Sequence, residues 1–355
     1  MTKPTISRRG VLAGSTALAA SAAFSTYVRA SAPPASPVTP ALIEAAKKEG
    51  KVVWYTSIDL EVSQGIAKRF QETYPGVAVH VERTGAERIL QRIGQEYASN
   101  IHAVDVVNSS DASHLAYWKD QGLLTPYVPE DVAKFYPAEH KDPDGMFASF
   151  RIFLCIMAYN TKLVKKEEAP KGFHDLLKPE WKDKIVKAHP GYSGTILTAT
   201  FQMARDLGWD YFEKLAAQNV LQVQSASVPP KRLSLGERAV QADGVEYLIF
   251  KEKEAGEPVE PIYATEGTPL IIGPNGIFKA APNPNAAKLF QSYCFTPECQ
   301  QVNIDVGGLR SAHPQTKEKP GRTPLSQIKL MKDDAEGVLK DSEDIKVHYA
   351  KLFHV

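Results

Sequence analysis

The sequence predicts an α/β protein made of mostly parallel sheets with crossover helices. Three observations carry this. Short apolar runs alternate with amphipathic stretches from residue 51 to 111, the pattern of strands joined by helices. The first run, Lys51-Val-Val-Trp-Tyr-Thr56, is continuously apolar rather than alternating, as a strand covered on both faces requires. The 355 residues are enough for about two domains at roughly 100–200 residues each.

The elements follow in order. Pro33-Pro34-Ala-Ser-Pro37 reads as an extended linker. Strand one, Lys51–Thr56, is bounded by Gly50 and Ser57. Val62, Ile66 and Phe70 recur every four residues and mark a helix that ends near Tyr74-Pro75-Gly76. Val77–Val81 is a second strand. Thr84-Gly85 opens a helix with Ile89, Ile93 and Tyr97 on one face. Ala103–Val107 is a third strand, and Asn108-Ser-Ser-Asp111 leads into another helix. Phe150–Tyr159 is long, apolar and β-favouring, and reads as one long strand crossing between two lobes. Pro269–Pro274 and Gly276–Phe278 read as returning strands, and Ala286, Leu289, Phe290 and Tyr293 as a helix face.

The first thirty residues are set apart from the fold. Ser7-Arg8-Arg9-Gly10 precedes an Ala-rich apolar stretch to about Phe24, with small-residue cleavage sites near Ala30. This is the organisation of a removable export signal. Its paired arginines match the twin-arginine type, with an ordinary secretory signal and an uncleaved membrane anchor as the alternatives. Removing these residues takes away Lys3, Arg8, Arg9 and Arg29 and no acid. That leaves 42 − 4 = 38 basic against 41 acidic residues, a net charge of −3. A mildly acidic, exported chain gives no support to a nucleic-acid partner.

Catalytic motifs are sparse. The nine histidines make no H-x-H or H-E-x-x-H spacing, so neither a metal nor a cofactor is expected. Gly191-Tyr-Ser193-Gly194-Thr195 approaches a nucleophile elbow but carries Thr at the final glycine position. What recurs is a hydroxyl at strand-to-helix turns: Thr56, Ser57, Thr84, Ser110, Ser193 and Thr195. Such turns place backbone N–H groups and a hydroxyl at the positive end of a helix, where an anion binds. Helix capping alone explains each one separately. Arg151 supplies a candidate counter-cation, with Lys231 and Arg232 as a second pair. Tyr192 and Tyr55 are candidate cleft linings; Trp54 is a third, though it reads rather as core. Cys294 and Cys299 are spaced for a local disulfide, and Cys155 for a buried thiol.

Several segments carry a family resemblance: Val52–Ser57, Phe70–Gly76, Ala103–Asp111, Met157–Leu163, Gly194-Thr195, Glu266-Gly267-Thr268 and Pro282–Lys288. Through these the chain, over residues 42–325, resembles the extracellular solute-binding proteins of bacterial ABC importers, in the type II periplasmic-binding cluster around the ferric-iron binders. The resemblance implies two α/β lobes joined by crossover strands and closing on a ligand. It implies an export signal at 1–30, a linker and first helix at 31–49, lobe 1 at 50–155 plus 270–325, lobe 2 at 156–269, and a C-terminal helical extension at 326–355. It further implies a periplasmic, monomeric receptor without catalytic residues, whose partners are a small-molecule ligand and, transiently, an inner-membrane permease.

Ferric binders of this cluster carry adjacent tyrosines in the second lobe. Here Gly244-Val-Glu-Tyr247-Leu-Ile-Phe250 holds only Tyr247. The expected ligand is therefore a small organic anion bearing phosphate, phosphonate or carboxylate. The alternatives are a ferric-iron or iron-chelate receptor and an exported hydrolase or transferase using Ser193. The expected ligand residues are Thr56, Ser57, Thr84, Ser110, Arg151, Tyr192, Ser193, Thr195, Tyr247 and Glu266.

Overall fold

The computed structural model describes residues 32–355; the expected export signal lies outside the described residues. Eleven strands form two separate sheets. They are β1 Lys51–Thr56, β2 Ala78–Arg83, β3 Val106–Asn108, β4 Leu124–Thr125, β5 Phe147–Leu154, β6 Met157–Asn160, β7 Ile185–Ala188, β8 Leu221–Val223, β9 Val240–Gln241, β10 Val259–Ile262 and β11 Leu270–Phe278. The first sheet runs β2-β1-β3-β11-β4, with β5 also on β11, and the second runs β10-β6-β9-β7-β8. We call the layers built on them lobe 1 and lobe 2.

Each sheet has a parallel half and an antiparallel half. β1 pairs in parallel with β2 and β3, and β7 with β8 and β9. β11 runs antiparallel to β3, β4 and β5, as β6 does to β9 and β10. The antiparallel strands adjoin the points where the chain passes between lobes.

That passage corrects one expectation. Residues 150–159 are not one strand: β5 ends at Leu154 and β6 begins at Met157. Between them the Cys155 N–H donates to Pro269 O and the Ile156 N–H to Gly244 O. The backbone thus leaves one ladder and enters the other with its donors satisfied. Apolarity alone could not show the break, because the segment is buried on both sides of it.

The lobe 1 core gathers Trp54, Phe70, Phe150, Phe290 and Tyr293. Phe70 and Phe290 meet edge-to-face at 5.1 Å, and Trp54 and Phe290 at 5.2 Å. Trp54 is core, the reading the sequence favoured, and Tyr55, 1% exposed, is core rather than cleft lining; its hydroxyl donates to Glu96 at 2.8 Å. The lobe 2 core holds Met157, Trp181, Tyr211, Phe212 and Tyr349. Tyr349 comes from the terminal helix Ala335–Phe353, which also packs on helix Gly194–Leu207 of lobe 2 and helix Ala112–Asp120 of lobe 1. Residues 33–37 do not hang free: Ser36 bridges to Pro129. Cys155, Cys294 and Cys299 are buried and unbridged. Among the described residues, no helix is long and apolar enough to cross a membrane.

Candidate functional site

A narrow cleft of about 100 Å³ separates the lobes. Its walls come from the carboxyl ends of the parallel strands. Ser57 and Asp59 follow β1, Gly85 and Ala86 follow β2, and Ser110 follows β3. Opposite them, Tyr192–Thr195 follow β7, Ser225–Ser227 follow β8, and Val245 and Tyr247 follow β9. Ligands of open α/β sheets bind at this edge, and here two such edges face each other. Arg151 and Phe153 of β5 form the floor.

Four helices of nine or more residues begin at the cleft wall, at Leu60, Ala86, Gly194 and Glu246. Their N-cap residues, Asp59, Gly85, Ser193 and Val245, all line the cleft, and none makes a side-chain cap hydrogen bond. The first N–H groups of four helices are thus left without side-chain caps. Their partial positive charges converge on one space. Asp111, one residue beyond the cleft-lining Ser110, does cap its own helix by accepting from the Ser113 N–H at 2.9 Å. Capping therefore does not account for Ser193, although it explains Asp111.

Arg151 is 4% exposed, and its Nη2 donates to Ser57 Oγ at 2.8 Å. Its Nε is buried with no partner. Among the described residues no carboxylate comes within ion-pair distance of it. Burial pulls the guanidinium down to about 10, against which the nearby Tyr247 and Asp59 act only in part. The backbone makes room for it: a side chain on Gly273, opposite Arg151 across β5 and β11, would sit 2.6 Å from the Arg151 stem. Beside it Arg83 faces Asp59 at 3.6 Å and donates Nε–H to Ile58 O. Burial, then the Asp59 charge, pushes the Tyr247 phenol well above its ordinary value.

Of the expected residues, the structure brings Ser57, Ser110, Arg151, Tyr192, Ser193, Thr195 and Tyr247 around this one cleft. Tyr192 stands at the rim, 62% exposed. Three stand elsewhere. Thr56 is fully buried beneath the turn; its hydroxyl accepts from Ile58 N–H and donates to Asn108 Oδ1. Thr84 precedes the cap that Gly85 provides, and its N–H continues the ladder to Thr56 O. Glu266 lies at a different edge of lobe 2, accepting from the N–H groups of Phe173 and His174. Lys231 and Arg232 are surface residues paired with Glu252 and Glu237. Ser193 makes no hydrogen bond to a histidine or carboxylate among the described residues; His189 Nδ1 is taken by the Gly191 N–H at 2.8 Å.

Sequence reasoning missed Asp59, Arg83, Ser225 and Ser227, and at the Thr84-Gly85 turn it chose Thr84 where Gly85 lines the cleft. Asp59 and Gly85 each sit one residue before a helix, a cap signal that was legible. Ser225 and Ser227, whose hydroxyls pair at 2.8 Å, follow a three-residue strand with no strong apolar pattern. A wider hollow of about 470 Å³ near Trp181 and Arg238 is lined only by residues 163–239. It lies on one lobe, so closure cannot clamp a solute there.

A family model described as bacterial extracellular solute-binding protein matches residues 102–324. The chain belongs to that family. It is a bacterial extracellular solute-binding protein. A probable ABC transporter periplasmic-binding protein, y4fP of Sinorhizobium fredii, is 23% identical over 72% of this chain and 73% of its own. The periplasmic binding protein AfuA of Actinobacillus pleuropneumoniae, solved with fructose-6-phosphate bound, superposes with a TM-score of 0.78. It is 25% identical, covering 86% of this chain and 99% of that one. Iron-bound HitA of Pseudomonas aeruginosa superposes at 0.75 with 20% identity, over 85% of this chain and 99% of its own. The latter likeness is one of fold.

Proposed function

We propose that the receptor captures a small organic anion bearing phosphate, phosphonate or carboxylate, and releases it unchanged to its permease. One observation carries this reading: a buried, carboxylate-free Arg151 at the floor of a cleft where four helices start without side-chain caps. A buried cation without a partner is costly, and an anion supplies the missing charge and acceptors together. Ser57, Ser110, Ser193, Thr195, Ser225 and Ser227 add hydroxyls that accept or donate as the solute demands. Gly194 lets the lobes meet: a side chain there would approach Asp111 Cβ to 2.8 Å.

The fructose-6-phosphate of AfuA is an anion of this class. Ferric iron is disfavoured by the chemistry of the donors. Fe(III) requires phenolate and carboxylate oxygens; of the two phenols at the cleft, Tyr247 is held protonated by burial and Asp59 and Tyr192 stands at the exposed rim, and the one carboxylate, Asp59, faces Arg83, beside two guanidinium groups. No step of bond making is assigned to Ser193, which lacks a base.

A thermal-shift panel tests this reading. Fructose 6-phosphate, inorganic phosphate, an alkylphosphonate, a dicarboxylate, neutral fructose and ferric citrate are compared on the mature chain. At least one organic anion should raise Tm while fructose does not. A shift with ferric citrate alone would return the protein to iron.

A further inference from the structure

Behind the lobe 1 wall of the cleft, three side chains meet that solute capture does not use. Glu87 lies in the first turn of helix Ala86–Ala98. Asp111 caps helix Ala112–Asp120, and His114 lies in its first turn. One atom from each, Glu87 Oε1, Asp111 Oδ2 and His114 Nε2, falls within 4.8 Å of the other two. Nε2 is 3.3 Å from the glutamate oxygen and 3.7 Å from the aspartate oxygen. Asp111 is 0% exposed and His114 4%. Neither carboxylate oxygen has a hydrogen-bond partner.

The remaining atoms of the three groups are engaged elsewhere. Asp111 Oδ1 accepts from Ser113 N–H. Glu87 Oε2, the oxygen away from the cluster, faces Lys346 Nζ at 3.8 Å. His114 Nδ1 is 3.0 Å from Ser109 Oγ, which also accepts from Asp111 N–H. With Nδ1–H donating to Ser109, Nε2 turns a lone pair toward two carboxylate oxygens. Three lone-pair donors then converge, and something positive must lie between them.

A proton on Nε2 answers this poorly. The 3.3 Å separation is long for a charge-assisted bond of about 2.7–2.9 Å. One proton also leaves the buried Asp111 Oδ2 unmatched. An ion bonded at about 2.0–2.1 Å to each donor sets neighbouring donors about 3.3 Å apart, near the separations seen. One imidazole and two carboxylates suit zinc, manganese(II) or iron(II). Ser109 Oγ lies where it can accept Nδ1–H, the tautomer that presents the Nε2 lone pair to an ion, as partners of metal-bound histidines do.

We propose that Glu87, Asp111 and His114 form a binding site for one divalent transition-metal ion. The site is separate from the solute pocket, which its residues do not line. Asp111 links the two, because its Cβ lies against Gly194 of lobe 2. A bound ion therefore stiffens the face that receives the closing lobe.

The test uses the mature chain, stripped with a chelator and dialysed near about pH 7.5, where histidine ligands are deprotonated. Zinc and manganese(II) are offered alone, and retained metal is counted after gel filtration. One equivalent per chain should remain with at least one of the two ions, and Tm should rise with it. Cobalt(II) should give visible d–d bands. His114→Gln and Glu87→Gln, each checked for native circular dichroism, should lose both the retained metal and the bands. His80→Gln, a change at an exposed histidine, should keep them. No retained equivalent in the native chain, or an equivalent that both cluster variants hold as tightly, overturns the proposal.

Discussion

Replacing Arg151 by methionine separates a binding role from a structural one. The guanidinium is 4% exposed, donates once to Ser57 and leaves Nε unpartnered. If a solute anion completes that shell, removing the cation leaves the anion buried and unpaired. Such truncations cost about 2–5 kcal/mol, or roughly 30-fold to several thousand-fold in Kd. The unliganded protein should behave in the opposite sense. Exchanging an unpaired buried charge for an apolar side chain of similar length is often neutral or stabilising by about 1–4 kcal/mol. Lost contact with the Phe153 ring, at 5.2 Å, takes back about 0.5–2 kcal/mol. Arg151→Met should therefore keep or raise the ligand-free Tm while abolishing ligand-induced stabilisation. Calorimetry with an anion that shifts the native protein, paired with ligand-free melting, reads both quantities. Unchanged affinity with a lowered ligand-free Tm would show that Arg151 is structural and that the reasoning is wrong.

Gly194→Ala should push the lobes apart at Asp111, where the added methyl meets Cβ at 2.8 Å. Overpacking of about 1–3 kcal/mol should appear mainly as weaker ligand affinity by calorimetry. Lys187→Met should leave Asp243 buried without its 2.6 Å partner and lower stability by about 3–5 kcal/mol in urea melts. Lys187→Met with Asp243→Leu should recover most of that loss. Asp333 has its carboxyl pushed up to about 7 by burial, with the Asp111 charge adding to it. The folded state then holds a proton that the unfolded chain, near 3.9, releases, so stability falls as pH rises from about 4 to 7 and is level above. Asp333→Asn in chelator-stripped protein should flatten that slope and raise Tm at about pH 8; an unchanged slope in urea melts would refute it.

Lobe 1 was readable where its strands are long, as in β1 and β2, and where its helices carry regular apolar faces, as Val62, Ile66 and Phe70 show. Lobe 2 was less so. β8 and β9 have three and two residues, too short for any period to register. The break between β5 and β6 is set by which ladder receives the Cys155 and Ile156 N–H groups, information that lies in residues 244 and 269 rather than in the segment itself. In the cleft, hydroxyls were informative where they stand beyond the last strand residue and lead into a helix, as at Ser57 and Ser193. They misled at Thr56, which points inward from the last strand residue. Glu266 was chosen from the family resemblance, and it caps the turn at Phe173. The Glu87–Asp111–His114 cluster escaped notice because Glu87 stands 24 residues from Asp111 and joins it only through the packing of two helix starts.

Native mass spectrometry of the receptor taken directly from periplasmic extract, with identification of whatever it releases, tests capture of an organic anion most directly. The expected result is one intact small molecule carrying a phosphate, phosphonate or carboxylate, absent from Arg151→Met prepared in the same way. A neutral compound, a ferric ion, or a solute that Arg151→Met carries equally well would contradict it.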